Sequence, residues 1–432
     1  MKSFWSRHLP FCLLSAALML SSLNLQSADH WPEAAKLPPQ TGWPDPLRMF
    51  DGSRVATKED WEKKRRPELK QLFQHYMYGQ IPPKPQKVDF QTQIVDKKFL
   101  NGKATLKLVT ISFGVPAPRI DLMLIVPNQT GPAPVFLAMN FCGNHALLDD
   151  PRIPLTRGWL YSSCKGCVDN RATAAARGAQ SADWPIGEII ERGYALASFC
   201  STDVDSDRAD VSDGVHAWLA QQRSGSTANA PTHHRGCIAG WAWGFHRCID
   251  YLVTDADLDS KRIAAVGHSR NGKTALLAAA FDERIALAIP HQAGCGGTAP
   301  SRGKIGESVK QINDRFPHWF NAEFKKFNET PERLPFDQHC LVALCAPRPV
   351  LLSNAIEDQW ANPSGQFEVL RAAEPVYQFL GAGELGAREM PELGKLMQTP
   401  LGYYIRAGKH SMTADDWRIF LQFADRHFRK GL

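Results

Sequence analysis

The sequence lacks an apolar run long enough to cross a membrane with ease, and it has no acidic residue before Asp29. Lys2 and Arg7 precede an apolar run at 11–20, and small and polar residues follow that run. This is the layout of a secretory signal peptide. The apolar run is too short for a membrane-spanning helix, which needs about 20 apolar residues. We predict a signal peptide at residues 1–28 and a periplasmic or secreted protein, with a retained anchor helix as the alternative.

A strong charge bias is also missing. The 432 residues carry a formal net charge of +6, which falls to +4 when Lys2 and Arg7 are removed with the predicted signal peptide. So small an excess gives no support for nucleic-acid binding. We therefore expect no nucleic-acid partner. We also expect no membrane association after signal removal, and a monomer.

No Gly/Ser-rich or Pro-rich linker interrupts the middle of the chain, and neither an internal repeat nor a low-complexity tract is present. Residues 29–432 are therefore predicted to form one domain. Two stretches without clear periodicity, near 144–183 and 296–340, are long enough to be insertions. Such loops usually carry the chemistry of a domain.

The cysteine pattern excludes complete pairing. Of ten cysteines, nine remain when Cys12 of the predicted signal peptide is removed, so at least one is unpaired. In an oxidising compartment some of the nine are expected to form disulfides, whose connectivity the sequence does not reveal. Cys164 and Cys167 have half the spacing of a zinc site, but no second Cys or His pair matches them. We predict no metal and no cofactor.

Apolar periodicity predicts the order of helices and strands. A helix at 58–78 is followed by strand-like runs at 88–95, 104–113, 120–126 and 134–140. From residue 186 onward, helices and strands alternate. The predicted strands are 194–200, 263–266, 285–290, 349–354 and 401–406, and the predicted helices are 186–192, 239–252, 273–281, 366–380 and 413–429. This alternation favours an α/β fold with a mainly parallel sheet, in which antiparallel strands come first in the chain.

A serine stands at the corner between a predicted strand and a predicted helix, in the stretch RIAAVGHSRNGKTALLAAAF at 262–281. Ser269 is either a nucleophile on a strained elbow or a cap of the following helix. Gly267 and Gly272 leave the space that a sharp turn needs around it. The usual elbow has glycine two residues after the serine; Asn271 occupies that place and tolerates unusual backbone angles.

An acid and a histidine follow in the order that an α/β-hydrolase requires. Asp358 comes after the strand at 349–354, and His410 lies just before the last helix. We predict that His410 takes the proton of Ser269 and that Asp358 fixes the imidazole tautomer. Glu357 is the alternative acid, and His410 could instead be a loop residue that caps the last helix.

The stretches GHSRNGKTALL, IALAIPHQAGCGGTAPSR, GESV and EDQWANP resemble the glucuronoyl esterases, and the likeness extends from about residue 30 to the C-terminus. The resemblance implies a metal-free serine α/β-hydrolase, a three-layer sandwich. It implies cleavage of the ester that joins a (4-O-methyl-)glucuronic acid branch of glucuronoxylan to a lignin alcohol. The family motif has arginine directly after the serine and lysine four residues after it, which Arg270 and Lys273 match.

The resemblance also implies roles for site residues. Arg270 would help to bind the oxyanion, where a fixed cation lowers the barrier; the alternative is a surface ion pair. Lys273, Glu307 and Trp360 match positions that hold the sugar hydroxyls of the glucuronate. The alternatives are a solvated helix lysine for Lys273 and a core aromatic for Trp360.

Two positions depart from the fungal members of this family. His268 stands where they have cysteine, and Gln292 stands where they have the glutamate of the triad. Because Gln292 has no ionisable group, it cannot stabilise an imidazolium as a carboxylate does. The acid role therefore moves to Asp358, and Gln292 is left to orient the histidine or to contact the substrate.

Other functions stay open at this point. An acetyl xylan esterase or another carbohydrate esterase on the same fold is the main alternative, and a peptidase is a further one. A carbohydrate-binding scaffold without activity is suggested only by Gln292.

Overall fold

The computed structural model describes residues 1, 31–210, 212–222, 235–303 and 305–429. The predicted signal peptide, apart from Met1, lies outside these ranges. The chain divides into two units, Met1–Pro32 and Glu33–Leu432. The boundary placed at residue 28 stays a prediction. No helix in the described ranges is both long enough and apolar enough to cross a membrane.

The second unit is built on a mixed sheet, whose strands agree closely with the predicted ones. The strands are β1 (Asp89–Phe99), β2 (Ala104–Ser112), β3 (Arg119–Pro127), β4 (Ala133–Asn140), β5 (Cys167–Val168), β6 (Arg171–Ala172), β7 (Ala195–Cys200), β8 (Leu258–His268), β9 (Leu287–His291), β10 (Val350–Ala355) and β11 (Leu401–Arg406). Nine of them form one sheet in the order β1-β2-β3-β7-β4-β8-β9-β10-β11, and β5 and β6 form a separate hairpin.

The sheet is antiparallel at one side and parallel at the other. The strands β1, β2, β3 and β7 pair antiparallel in turn, and the strands from β7 to β11 pair parallel. Strands β4, β7, β9 and β10 are buried along their whole length, as parallel strands covered on both faces are. The carboxyl ends of the parallel strands therefore meet at one edge of the sheet.

Helices cover the sheet. They are α1 (Lys58–Asp60), α2 (Arg66–Phe73), α3 (Ile186–Glu191), α4 (Gly214–Gln222), α5 (Cys237–Leu252), α6 (Arg270–Phe281), α7 (Val309–Arg315), α8 (Ala322–Lys325), α9 (Gln338–Ala343), α10 (Pro363–Leu380) and α11 (Ala414–Phe428). Helices α3 and α11 pack over one face, where Ile186 and Trp417 share a buried cluster with Phe136 of β4. The neighbouring buried residues Val135 and Leu137 point to the other face, since side chains alternate along a strand.

The predicted helix at 58–78 is present, with an irregularity that the sequence did not indicate. Its apolar residues Trp61, Leu69, Leu72 and Phe73 are fully buried, as the helical period predicts. The helical path is α-helical in α1 and α2 but widens into π turns at Trp61–Arg65 and Gln74–Tyr78.

One disulfide joins the end of β4 to the predicted insertion at 144–183, between Cys142 and Cys164. The other cysteines in the described ranges are free thiols: Cys167, Cys200, Cys237, Cys248, Cys295, Cys340 and Cys345. Because Cys164 is in the disulfide, it cannot join Cys167 in a zinc site. Across the described residues, no group of three or more His, Cys, Asp or Glu side chains could hold a metal ion.

Candidate active site

Ser269 occupies a strained turn between β8 and α6. Its backbone has φ 58° and ψ −123°, a positive-φ conformation that is uncommon outside glycine. Its N–H donates to the carbonyl of His291 at 2.9 Å. Within the described residues its side chain makes no capping hydrogen bond to α6, so the cap alternative is wrong and the half-buried hydroxyl is available for chemistry.

The turn needs glycine on both sides of the serine, as predicted. A Cβ on Gly267 would lie 2.0 Å from the carbonyl oxygen of Asn271, and a Cβ on Gly272 would lie 2.9 Å from that of Gly267. Asn271 was expected to tolerate unusual backbone angles at this turn, and that expectation is wrong. Asn271 lies inside α6, and its side-chain amide donates to the carbonyl of Met139 at 3.0 Å, so the unusual backbone angles fall on Ser269 itself.

The predicted histidine and acid are hydrogen-bonded. His410 follows β11, Asp358 follows β10, and Nδ1 of His410 lies 2.6 Å from Oδ2 of Asp358. A carboxylate only accepts hydrogen bonds, so the imidazole donates from Nδ1. Asp358 is buried, whereas the exposed Glu357 accepts a hydrogen bond from the N–H of Gly408 at 3.0 Å. The geometry thus pairs His410 with Asp358 and gives Glu357 a contact with the loop backbone.

The imidazole of His410 lies next to the nucleophile turn. Its ring centroid is 4.5 Å from that of His268, the residue directly before Ser269. With Nδ1 bound to Asp358, Nε2 is the nitrogen left for Ser269. The structure shows no hydrogen bond between the Ser269 hydroxyl and His410, both of which it describes. Such bonds are often long without substrate and tighten in the complex.

Gln292 holds the loop that carries His410. Its backbone has φ 47°, and its side-chain Oε1 accepts a hydrogen bond from the N–H of Ser411 at 2.9 Å. The side chain is buried, and its Nε2 has no hydrogen-bond partner among the described residues. This contact is suited to orienting His410; a substrate contact of Gln292 stays a prediction.

The guanidinium of Arg270 is enclosed rather than solvated. Its NH1 donates to Oδ2 of Asp207 at 2.7 Å and to the hydroxyl of Tyr161. Four aromatic ring centroids lie between 4.8 and 5.6 Å from its Cζ atom: Phe141, Tyr161, Phe316 and Trp319. The surface ion pair considered as the alternative for Arg270 is therefore wrong.

Lys273 lies in α6 close to Glu307, and Glu307 is close to Trp360. Lys273 is buried, and its Nζ donates to the carbonyls of Ala293 and Cys295. Burial lowers the pKa of Lys273, which the charge of Glu307 opposes. Burial likewise raises the pKa of Glu307, which the charge of Lys273 and a hydrogen bond from the Trp360 side chain oppose.

Trp360 is 48% exposed, so part of its side chain is accessible to solvent. The core-aromatic alternative for Trp360 and the solvated-lysine alternative for Lys273 are both wrong.

Comparisons with known proteins agree with this geometry. The family described as "Glucuronyl esterase, fungi" matches residues 192–381. A carbohydrate esterase of an unknown prokaryotic organism is 42% identical over 403 residues, which cover 92% of each chain. The solved glucuronoyl esterase of Solibacter usitatus has a TM-score of 0.83 and 36% identity, covering 91% of this chain and all of that one.

The chain belongs to the glucuronoyl esterase family. It is therefore an esterase on the α/β-hydrolase fold that the sequence predicts. A solved CE15 esterase from a marine bacterial metagenome, described as promiscuous, has a TM-score of 0.83 and 42% identity and covers 91% of this chain and 99% of its own. A 4-O-methyl-glucuronoyl methylesterase of Phanerochaete carnosa is 29% identical over 348 residues, 78% of this chain and 72% of its own.

In this glucuronoyl esterase, Asp207 is a site residue that the sequence did not reveal. It lies in the loop after β7, and its Oδ1 accepts hydrogen bonds from Nε2 of His318 and Nε1 of Trp319, both at 2.7 Å. Burial alone would raise its pKa, but the bond from His318 and the charge of Arg270 outweigh burial and hold the pKa below its ordinary value. Asp207 is thus a buried carboxylate that fixes Arg270.

His268 is a second contributor that the sequence marked only as a departure from the family. Its ring lies 4.5 Å from that of His410 and 5.2 Å from that of His291, centroid to centroid. Burial, and then the neighbouring His291 and His410, lower the pKa of His268 well below its ordinary value. A neutral imidazole therefore supports the ring of His410.

Both predicted insertions supply groups to the site of this glucuronoyl esterase. Tyr161 comes from the stretch 144–183, and Phe316, His318 and Trp319 come from 296–340. None of these residues lies in a motif that the sequence singled out. Their common signal is only that they belong to long segments without periodicity, at the end of the sheet where loops carry function.

Proposed function

We propose that the enzyme is secreted or periplasmic and hydrolyses the ester between (4-O-methyl-)glucuronic acid of glucuronoxylan and lignin alcohols. The observation that carries this proposal is the pair His410 and Asp358, hydrogen-bonded at 2.6 Å beside the strained turn of Ser269. The names of relatives, which include 4-O-methyl-glucuronoyl methylesterases, support a glucuronoyl group on the acyl side.

In the first half of the proposed reaction, Nε2 of His410 takes the hydroxyl proton of Ser269 as Oγ attacks the ester carbonyl carbon. Asp358 accepts the Nδ1–H bond and stabilises the imidazolium that forms. The tetrahedral intermediate collapses, and the alcohol leaves with the proton returned by His410. The product is an ester between Oγ of Ser269 and the uronic acid.

In the second half, water replaces the alcohol. His410 takes a proton from water, the hydroxide attacks the acyl-enzyme carbonyl, and Ser269 leaves with the proton that His410 gives back. The uronic acid is released, and the serine is regenerated. These steps use side chains of this chain and one water molecule, and they require neither a metal nor a cofactor.

Negative charge on the carbonyl oxygen is stabilised in this proposal by two features of the turn. The N-terminus of α6 begins at Arg270, so the first backbone N–H groups and the helix dipole face the nucleophile. The Arg270 guanidinium adds a full charge that Asp207 and the aromatic rings hold in place. Losing one such donor typically costs about 10²- to 10³-fold in kcat.

The sugar side of the proposed site uses three different groups. Lys273 supplies a buried cation, Glu307 a half-buried carboxylate, and Trp360 a partly exposed indole. A flat apolar ring and a few placed polar groups are suited to one face and the hydroxyls of a pyranose. This arrangement supports an acyl group that is itself a sugar acid.

The experiment that tests the proposal compares substrates that differ in the acyl group. We expect the enzyme to turn over benzyl glucuronate faster than benzyl galacturonate, because Lys273 and Glu307 would distinguish the hydroxyl orientations. Acetylated sugars and aminoacyl substrates test the acetyl xylan esterase and peptidase alternatives. Faster release of acetate than of glucuronate would overturn the proposal.

A further inference from the structure

A second aspartate–histidine pair joins the loop after β7 to helix α4. Nδ1 of His216, in the first turn of α4, lies 2.5 Å from Oδ2 of Asp205. Both side chains are buried, with exposed fractions of 5% and 2%. A carboxylate only accepts hydrogen bonds, so the imidazole donates from Nδ1. Neither residue lies in a motif that the sequence singled out, and neither takes part in the proposed reaction.

This pair anchors the loop that carries Asp207. The carbonyl of Asp205 accepts a hydrogen bond from Nε1 of Trp241 in α5 at 2.8 Å, and its N–H donates to the carbonyl of Ser201 at 3.1 Å. Asp205 is thus tied to α4, α5 and the end of β7. Asp207 follows it by two residues and contacts Arg270 at 2.7 Å. The place of the Asp207 carboxylate therefore follows from the place of Asp205.

Helix α5 lets the loop approach its backbone closely. Gly240 and Gly244 are one turn apart on this helix. A Cβ on Gly240 would lie 2.9 Å from Cε1 of His216, and a Cβ on Gly244 would lie 2.5 Å from Cγ2 of Val204, the residue before Asp205. Larger side chains on α5 would push the loop away. The loop therefore rests directly on a buried helix, which makes it a rigid support.

Stability alone explains the pair poorly. Burying two polar groups that can carry charge costs about as much free energy as their attraction supplies, and apolar side chains of similar volume often do as well. Nε2 of His216 is also buried and has no hydrogen-bond partner among the described residues. An unsatisfied buried nitrogen destabilises the fold. What the pair provides is a fixed position for the loop.

We propose that Asp205 and His216 are positioning residues of the esterase, which hold Asp207 where it fixes Arg270 for the oxyanion. This inference rests on the proposed function, because the oxyanion role of Arg270 belongs to it. Both residues act through Asp207 and do not contact the substrate. Arg270 meets a full negative charge only in the transition state, so disturbing the pair should change kcat rather than KM.

The first test is the kinetics of His216→Ala on benzyl glucuronate. We expect kcat to fall about tenfold, less than the 10²-fold that a misplacement of about 1 Å can cost, and KM to stay within about twofold. His216→Asn should recover most of the loss, because its amide N–H can donate to Asp205 in place of Nδ1. A loss confined to KM, or no recovery by His216→Asn, would overturn the proposal.

His246→Ala is the matched control. His246 is a buried histidine of α5, and its Nε2 contacts the carbonyl of Ala278 at 3.1 Å rather than the Asp207 loop. Its loss should lower the free energy of unfolding but leave kcat within about twofold. An equal fall of kcat in His216→Ala and His246→Ala would show a general effect of lost packing and would overturn the positioning role.

A double variant tests whether the pair acts through Asp207. In the Asp207→Asn background, His216→Ala should lower kcat by no more than about twofold further, because the charge that it positions is already gone. Independent effects would multiply to about 10³-fold below the unaltered protein and would contradict a shared route. If His216→Ala does not fold, Asp205→Asn takes its place: its neutral amide should lower kcat about threefold, and an unchanged kcat would overturn the proposal.

Two measurements separate this inference from the proposed function. If the protein hydrolyses 4-nitrophenyl acetate but not benzyl glucuronate, the proposed substrate is wrong, yet a tenfold fall of kcat for His216→Ala on the acetate still supports the pair. A crystal structure of His216→Ala should show the distance from Oδ2 of Asp207 to NH1 of Arg270 lengthened beyond about 3.5 Å. A distance unchanged from 2.7 Å would overturn the inference whatever the substrate.

Discussion

Nδ1 of His410 lies 2.6 Å from Oδ2 of Asp358, and the carboxylate that makes this contact is buried. Gln292, which the resemblance places at the position of the fungal glutamate, accepts a hydrogen bond from the backbone N–H of Ser411. The carboxylate that can stabilise an imidazolium is therefore Asp358, which follows β10. Gln292, which follows β9, instead holds the backbone of the loop that carries His410.

Replacing the two candidates for the acid role should separate their functions. Asp358→Asn keeps the shape but removes the charge, and we expect kcat to fall about 10⁴-fold, as in other serine triads. Gln292→Ala should cost about tenfold or less, because it only loosens the loop. Steady-state kinetics on benzyl glucuronate measures both, with Glu357→Gln as the matched acidic control. Losses of equal size for Asp358→Asn and Gln292→Ala would contradict the assignment.

Asp207 should act through Arg270 rather than on the substrate. Asp207→Asn removes the charge that fixes the guanidinium, so we expect kcat to fall about 10²-fold with little change in KM, as for a lost transition-state contact. Asp210→Asn is the control, because Asp210 lies on the same loop but is exposed and contacts Arg208. A loss that appears in KM alone, or an equal loss in the control, would show that Asp207 does not work through Arg270.

The disulfide should stabilise both the fold and the loop of Tyr161. Cys142 and Cys164 are 22 residues apart in sequence. Replacing both by serine should lower the free energy of unfolding by about 3 kcal/mol, because the unfolded chain is no longer constrained. It should also lower kcat, since Tyr161 contacts Arg270. Urea unfolding and kinetics measure the two effects. Cys167→Ser is the control, and an equal loss there would contradict the role of the disulfide.

Buried histidines should make the protein less stable in mild acid. Burial lowers the pKa of His246 to about 4 and that of His339 to about 3. An unfolded histidine binds a proton near pH 6.5, so between pH 6.5 and these folded values the unfolded state binds more protons. Stability should therefore fall as pH falls through this window, by up to about 1.4 kcal/mol per pH unit for each histidine.

Urea unfolding of the protein and of His246→Gln at pH 7.5 and pH 5.0 measures how much of the stability lost in acid comes from His246. We expect the variant to lose less stability between the two pH values than the unaltered protein. An identical loss in both would show that His246 is not a source of the acid sensitivity.

The order of the elements could be read from the sequence because apolar periodicity is local. The predicted strand at 401–406 has the bounds of β11, and the helix predicted at 239–252 differs from α5 by two residues at one end. The grouping of Ser269, Asp358 and His410 could be predicted for a related reason: each of the three follows a strand, and the carboxyl ends of parallel strands meet at one edge.

The surroundings of Arg270 could not be predicted in this way. Asp207, Tyr161 and Trp319 come from three loops without periodicity, and only tertiary folding brings them together. No pattern in the sequence predicted α4, the short helices α7 to α9 or the hairpin of β5 and β6. Such short elements are stabilised by packing rather than by their own pattern.

Hydrolysis of benzyl glucuronate by the unaltered protein and by Ser269→Ala, followed side by side, tests the proposed nucleophile. We expect turnover by the unaltered protein and a loss of roughly 10⁴-fold or more in kcat for the variant, with the same thermal unfolding midpoint. Turnover by a folded Ser269→Ala variant at a rate near that of the unaltered protein would contradict a serine mechanism at this turn.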